Sequence, residues 1–103
     1  MNISYKKNFE NQLVQIVNYI AKDKLSASIK FANELEEQIF LIPDNPLKYR
    51  KSIYFNNENI RDMIYKGYTI NYKINFKKNL IEVLRIFNKN KPTRDSRYNN
   101  RRN

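Results

Sequence analysis

From Tyr68 onward the chain alternates between large apolar and small or polar residues. Tyr68, Ile70, Tyr72, Ile74 and Phe76 point one way, and Thr69, Asn71, Lys73 and Asn75 the other. A period of two predicts a β-strand with one apolar face that needs a cover. Lys66-Gly67, just before it, reads as a tight turn because glycine takes positive φ cheaply, and Gly67 is the one glycine in the chain. Lys77-Lys78-Asn79 reads as a three-residue hairpin loop, with Asn79 the residue that best tolerates a left-handed backbone. The spacing therefore predicts a three-strand antiparallel meander over 60–65, 68–76 and 80–87. The last strand is apolar on both faces apart from Glu82 and Arg85, which suits a place inside the sheet.

Upstream the period changes. Ile3 and Tyr5 predict a short strand over Asn2–Tyr5. Asn8 then serves as a helix N-cap, followed by Phe9, Leu13, Ile16, Val17 and Ile20 on one helical face. Lys22-Asp23-Lys24 is a short polar joint, and Ser26 is the expected cap of a second helix. There Ile29, Ala32, Leu35, Ile39 and Ile42 repeat at helical spacing, and Phe31 and Phe40 widen the stripe. Pro43 ends that helix, because it lacks an N–H and its ring clashes with an earlier carbonyl. So short a joint predicts an antiparallel helical hairpin whose apolar side covers the Tyr68/Ile70/Tyr72/Ile74 face. Asp44-Asn45-Pro46 is a turn. Residues 47–59 read as a basic, exposed connection with room for one turn of helix, closing in a turn at Asn56-Asn57. The expected fold class is α+β. An antiparallel β-sheet, formed by the short N-terminal strand plus a C-terminal three-strand meander, is covered on one face by an α-helical hairpin, in the order β-α-α-β-β-β.

The 103 residues suit one domain, read as 1–88, followed by a basic tail, 89–103. The tail holds six Lys or Arg against one Asp, a net +5 of the chain's +10, and lacks the large apolar residues needed to order itself. It is either a disordered tail or a segment ordered by a partner. A balance of +10 draws a small protein toward polyanions such as nucleic acid or acidic proteins, although solubility or an AT-rich genome also produces such a composition. No apolar run approaches the roughly 20 residues of a membrane span, and the N-terminus lacks the apolar stretch of a signal peptide, so a cytoplasmic protein without a membrane partner is expected. Cysteine and histidine are absent. That removes disulfides, thiolate metal sites and any Ser-His-Asp or Cys-His mechanism, and no cofactor is expected. Chemistry, if present, would run on Lys, Arg, Tyr, Asp or Glu.

The order of elements and a set of short motifs resemble the RelE/ParE family of bacterial toxins from type II toxin–antitoxin systems. The motifs are Tyr19-Ile20-Ala21 closing the first helix, Ala32-x-x-Leu35-x-x-x-Ile39 on the second and Leu41-x-Pro43 near its end. Ile60-Arg61-Asp62 opens the meander, Gly67-Tyr68-x-Ile70-x-Tyr72-x-Ile74 forms its centre and Val83-Leu84-Arg85-Ile86-Phe87 closes it. The likeness spans about residues 3–91. It implies a growth-inhibiting toxin, associated with plasmid stabilisation and neutralised by a cognate antitoxin that wraps it. Two activities occur in the family. ParE-like members block DNA gyrase, whereas RelE-like members cut mRNA on the ribosome with Arg, Lys and Tyr side chains.

Many RelE-like members carry Arg straight after the tyrosine that follows the turn glycine, where this chain has Thr69. Two basic residues common on the preceding strand are replaced by Ile60 and Asp62. Arg61, followed by an acid, resembles the ParE side, so inhibition of gyrase is the favoured expectation and ribosome-dependent mRNA cleavage the alternative. For the latter, metal-free cleavage needs a base for the 2′-hydroxyl, a cation for the phosphate and an acid for the leaving oxygen. Lys73, Arg85, Lys89, Lys91, Arg94 and Tyr98 are the candidates. For target or antitoxin binding the candidates are Arg61, Arg85, Lys89 and Lys91. Each also reads as an ordinary solvated side chain. Arg85 interrupts an apolar strand, so it is expected either to pair with Asp62 or Glu82 or to line the rim of a phosphate- or antitoxin-binding groove. Tyr68 and Tyr72, in phase with Ile70 and Ile74, read as core residues rather than base-stacking platforms.

Overall fold

The structure, a computed structural model, describes residues 1–88. Strand β1 (Asn2–Tyr5) leads into helices α1 (Lys7–Asp23) and α2 (Leu25–Phe40) and a 3-10 turn over Ile42–Asp44. Strands β2 (Arg50–Lys51), β3 (Ile60–Tyr65), β4 (Tyr68–Asn75) and β5 (Leu80–Asn88) follow. They form one five-stranded sheet in the order β1-β5-β4-β3-β2. The expected α+β fold and helical hairpin are present, with two refinements. The sheet is mixed, because β1 pairs parallel with β5, Ile3 opposite Ile81. The basic connection also contributes a short edge strand, β2, antiparallel to β3.

The helix ends depart from the sequence expectation. Lys6, not Asn8, occupies the N-cap position of α1, and no side chain caps it. Pairing with the sheet runs one residue past β1, since the Lys6 N–H donates to the Val83 carbonyl at 2.9 Å, so helix begins at once and Asn8 falls inside the first turn. Lys24 alone separates the helices. Its N–H closes α1 onto the Ile20 carbonyl at 3.0 Å, and its carbonyl accepts the Ala27 and Ser28 N–H groups that open α2. Ser26 is therefore not the cap, and Ser28 Oγ instead donates back to the Leu25 carbonyl at 2.6 Å.

Helix α2 is rotated relative to the predicted stripe. Its buried residues are Ser28, Phe31, Leu35 and Ile39, continued by Ile42 from the 3-10 turn. Ile29 and Phe40 are exposed, at 54% and 74%. The rings of Phe31, Tyr65 and Tyr68 fix this rotation, with centroids 5.4 Å from Phe31 in each case. On α1, Phe9 is buried, and Leu13, Ile16, Val17 and Ile20 pack against the core, as their spacing predicts. Met63, Ile70, Tyr72, Ile74, Ile81, Val83 and Ile86 supply the sheet side.

The meander is confirmed in outline. Lys66 (φ 49°) and Gly67 (φ 85°) make the two-residue hairpin turn, whose two left-handed residues match the twist of the flanking strands. The second loop is longer than predicted. Phe76 leaves the strand and is 57% exposed, and the loop runs from 76 to 79. Asn79 takes the expected left-handed backbone, φ 53°, and Asn75 Oδ1 accepts the Lys78 N–H at 3.0 Å. Strand β5 carries a bulge: Asn71 pairs with Arg85 but Tyr72 with Val83, leaving Leu84 extra. Ile81, Val83 and Ile86 all face the helices because of it, and Arg85 and Phe87 are turned to the far face of the sheet.

Candidate partner-binding surfaces

Three of the candidate residues are on the sheet. Lys73 lies on the far face between Ile60 and Glu82. Arg85 pairs with neither expected carboxylate. Its guanidinium lies 5.4 Å from the centre of the Phe87 ring, a cation–π contact. Both acids are occupied elsewhere. Glu82 binds Lys6 at 3.2 Å, and although burial acts to raise its pKa, the Lys6 ammonium and the Asn75 amide hold it below the usual value. Arg61 is committed to backbone, donating to the Glu58 carbonyl at 3.0 Å and the Tyr49 carbonyl at 3.1 Å. It clamps the connections before and after β2. Lys89, Lys91, Arg94 and Tyr98 lie outside the described residues. Tyr72 is fully buried and Tyr68 packs on the core, so neither offers a stacking face to a base.

The far face holds a buried polar group on β3 that ties down part of the segment 47–59, which the sequence reads as an exposed connection. Asp62 is 2% exposed. Its carboxylate accepts the Asn71 amide at 2.6 Å, the Ile53 N–H at 3.2 Å and the Arg50 guanidinium at 3.4 Å. These bonds draw the segment after β2 across the sheet, and Tyr54 meets the Phe87 ring edge-on at 5.0 Å. The positions where a RelE-like cation is expected are therefore closed: Ile60, Asp62 and Thr69 are all buried.

The helical layer is different. Between the first half of α1 and the second half of α2 lies an open apolar groove of about 290 Å³. Phe9, Leu13, Leu35 and Ile39 line it; Glu10, Asn33 and Glu36 stand at its rim; and Tyr5 closes one end, stacked on Phe9 at 5.4 Å. Burial and the Glu36 charge both push the Tyr5 hydroxyl pKa up. Among the described residues neither Glu10 nor Glu36 forms an ion pair. Glu34, one turn away on α2, is fully engaged. It accepts the Tyr65 hydroxyl at 2.7 Å and the Lys66 ammonium at 3.2 Å, and both hold its pKa low. The groove of the helical hairpin and the open edge of the sheet are the two places that the sequence offers for an antitoxin, but the groove's lining residues and rim carboxylates were not identified there.

A third surface is the sheet edge. Strand β2 covers β3 only at Arg61 and Asp62, so Met63–Tyr65 has no strand beyond it among the described residues, and Ile64 is 41% exposed. No group of His, Cys, Asp or Glu among the described residues is placed to hold a metal ion, and no helix there is long and apolar enough to cross a membrane.

Residues 3–91 match the family model of the ParE toxin of the type II toxin–antitoxin system parDE. The chain belongs to the ParE toxin family. No curated protein matches its sequence. Among solved structures, a chain of the chromosomal ParDE TA system from P. aeruginosa has the same fold. The TM-score is 0.69 at 16% identity, over 85% of this chain and 95% of that one. This ParE-family protein is thus a toxin of a type II toxin–antitoxin system. Its Arg61-Asp62 pair, the sequence feature that favoured the ParE side, serves the fold as a double anchor, one residue on each face of β3.

Proposed function

We propose that this toxin inhibits DNA gyrase in the cytoplasm and is held inactive by a cognate antitoxin. The observation that carries this reading is the ParE family match over residues 3–91. The filled state of the far face supports it, since buried Ile60, Asp62 and Thr69 leave those positions without a cation for a scissile phosphate. Purified protein is expected to block gyrase supercoiling while leaving RNA intact. Normal supercoiling at large molar excess would overturn the proposal.

The antitoxin has two places to dock, the helical groove and the open edge at Ile64, where a strand can be added to the sheet. Ribosome-dependent mRNA cleavage is the second reading. It is favoured by Arg85, a far-face cation without a carboxylate partner among the described residues. Toeprinting of a translated message decides it: codon-linked cuts that disappear in Arg85→Ala would replace the gyrase reading.

A further inference from the structure

One group of exposed apolar side chains gathers on the side of the sheet turned away from the helices. The pairing of β3, β4 and β5 puts Ile64, Thr69 and Phe87 in one row across that face, and Thr69, in the middle, is fully buried. Tyr54 meets the Phe87 ring edge-on at 5.0 Å, and its neighbour Ile53 is tied by its backbone N–H to Asp62 on β3. Ile53 is 68% exposed, Tyr54 45% and Ile64 41%. Single apolar side chains in water are ordinary, but several side by side mark a contact surface. The charges around this patch are of one sign. Arg85 stands beside it, its guanidinium against the Phe87 ring, with no carboxylate partner among the described residues. Lys73 and Arg50 lie on the same face. The acids are occupied or distant. Asp62 is buried under three donors, Glu82 is bound to Lys6, and Glu58 lies at the other end of the loop, next to Asn59, whose carbonyl accepts the Ile74 N–H.

We propose that this patch is where the toxin meets its protein target, and that the target brings an apolar side chain with an acidic one beside it. The apolar part covers Ile53, Tyr54 and Ile64, whose surface stands in water and is there to be removed from it. The acid answers Arg85. A guanidinium that loses solvent at an interface needs a carboxylate, and its planar fork accommodates both carboxylate oxygens. A protein fits this patch better than a nucleic acid does. Ile53 and Ile64 are branched aliphatics on which no base stacks, and the Phe87 ring is already taken by Arg85 and Tyr54. The proposal rests on the reading of gyrase as the target and adds the place of contact. The groove between the helices is in the other layer, so substitutions in the patch leave it unaltered.

The test measures binding of the full chain and its variants to purified gyrase by surface plasmon resonance, with inhibition of supercoiling read alongside. Ile53→Ser removes an exposed side chain but keeps the N–H that holds the loop, so its fold should persist while binding weakens about tenfold. Arg85→Glu should weaken binding about a hundredfold, and Arg85→Lys, which keeps the charge, by less than about tenfold. Val14→Ser, at a 57% exposed apolar position on α1, should bind as the wild type does. Circular dichroism and the denaturation midpoint check that each variant is folded. Folded Ile53→Ser or Arg85→Glu protein that binds gyrase as tightly as the wild type would overturn the proposal. So would an equal loss in Val14→Ser, a loss in Arg85→Glu confined to binding of a labelled RNA, or a dimer of the chain that Ile53→Ser dissociates. As long as the wild type blocks supercoiling, each of these results removes this inference and leaves the gyrase reading standing. A wild type that neither binds nor inhibits gyrase removes both.

Discussion

The two faces of β4 are built from the same eight residues and stabilised in opposite ways. Toward the helices, Ile70, Tyr72 and Ile74 are at most 1% exposed and meet apolar side chains from α1, α2, β3 and β5. Away from them, Thr69 and Asn71 are equally buried, but their neighbours are Asp62, Arg85 and Phe87 under the segment that follows β2. Many small dispersion and solvation gains hold the first face, and no single contact decides it. The second depends on one carboxylate with three donors. Polar residues in strict alternation are therefore not evidence of solvent, because a loop anchored through one carboxylate can bury them even where some of their polar atoms find no partner among the described residues.

Truncation on the apolar face should have the largest effect. Ile70 is fully buried at the centre of the sheet, and Ile70→Ala leaves a cavity that close-packed neighbours cannot fill. Chemical denaturation should show a loss of about 2–5 kcal/mol, spread over the whole cooperative transition. Asp62→Ala should cost less, about 1–3 kcal/mol, since it strands the Asn71 amide and the Ile53 N–H without an acceptor. Its signature is local. Hydrogen exchange at Ile53 and Tyr54 should accelerate far more than at Ile70, and an Asp62→Ala protein with uniform acceleration would mean that the loop is held by something other than this carboxylate.

The sequence carried the apolar face almost completely, because burial writes itself into periodicity: the strand positions of β4 and the α1 stripe all follow from it. The far face was hidden for a physical reason. Asp62, Asn71 and Arg50 are polar, distant in sequence, and joined only by a fold that brings β2 beside β3. The bulge at Leu84 was equally invisible, since an extra residue in a strand apolar on both faces leaves the pattern unbroken. That bulge is also why Arg85 shares the far face of the sheet with Phe87. Of the candidate site, Arg61 was found for its family position, but its two carbonyl partners lie in loops whose course no local pattern specifies.

A smaller effect separates the corner where the two layers meet from both faces of the strand. Burial and the Glu34 carboxylate push the Tyr65 pKa up to about 12 from the ordinary 10.0. The folded protein thus favours the protonated phenol. The sign follows: this stabilisation is complete below pH 10 and is lost as the pH rises toward 12. Tyr65→Phe should flatten that alkaline loss. Glu34, whose pKa is lowered chiefly by the Tyr65 hydroxyl and then by Lys66, gives the opposite limb, with stability present above its ordinary 4.5 and lost as pH falls below it. Tyr65→Phe should weaken the acid limb too. A variant that changes neither limb would show the corner to be held by Phe31 packing alone.

The smallest effect tests the polar face most directly. Thr69 Oγ1 and Asn71 Oδ1 are buried without a hydrogen-bond partner among the described residues. An orphaned hydroxyl costs about 1–3 kcal/mol of desolvation that a methyl group of the same shape does not incur. Thr69→Val keeps the branched outline and strand preference, so it should leave stability unchanged or raise it by up to about 1 kcal/mol, measured as a shift in denaturation midpoint at constant slope. On the apolar face no such gain is open, because every buried group there already has its partners. If Thr69→Val instead destabilises the protein, the hydroxyl is bonded, with water as the first candidate partner. Asn71 Oδ1 would then be the one buried side-chain atom of the polar face without a partner among the described residues, and the contrast between the faces would reduce mainly to the kind of contact rather than its completeness.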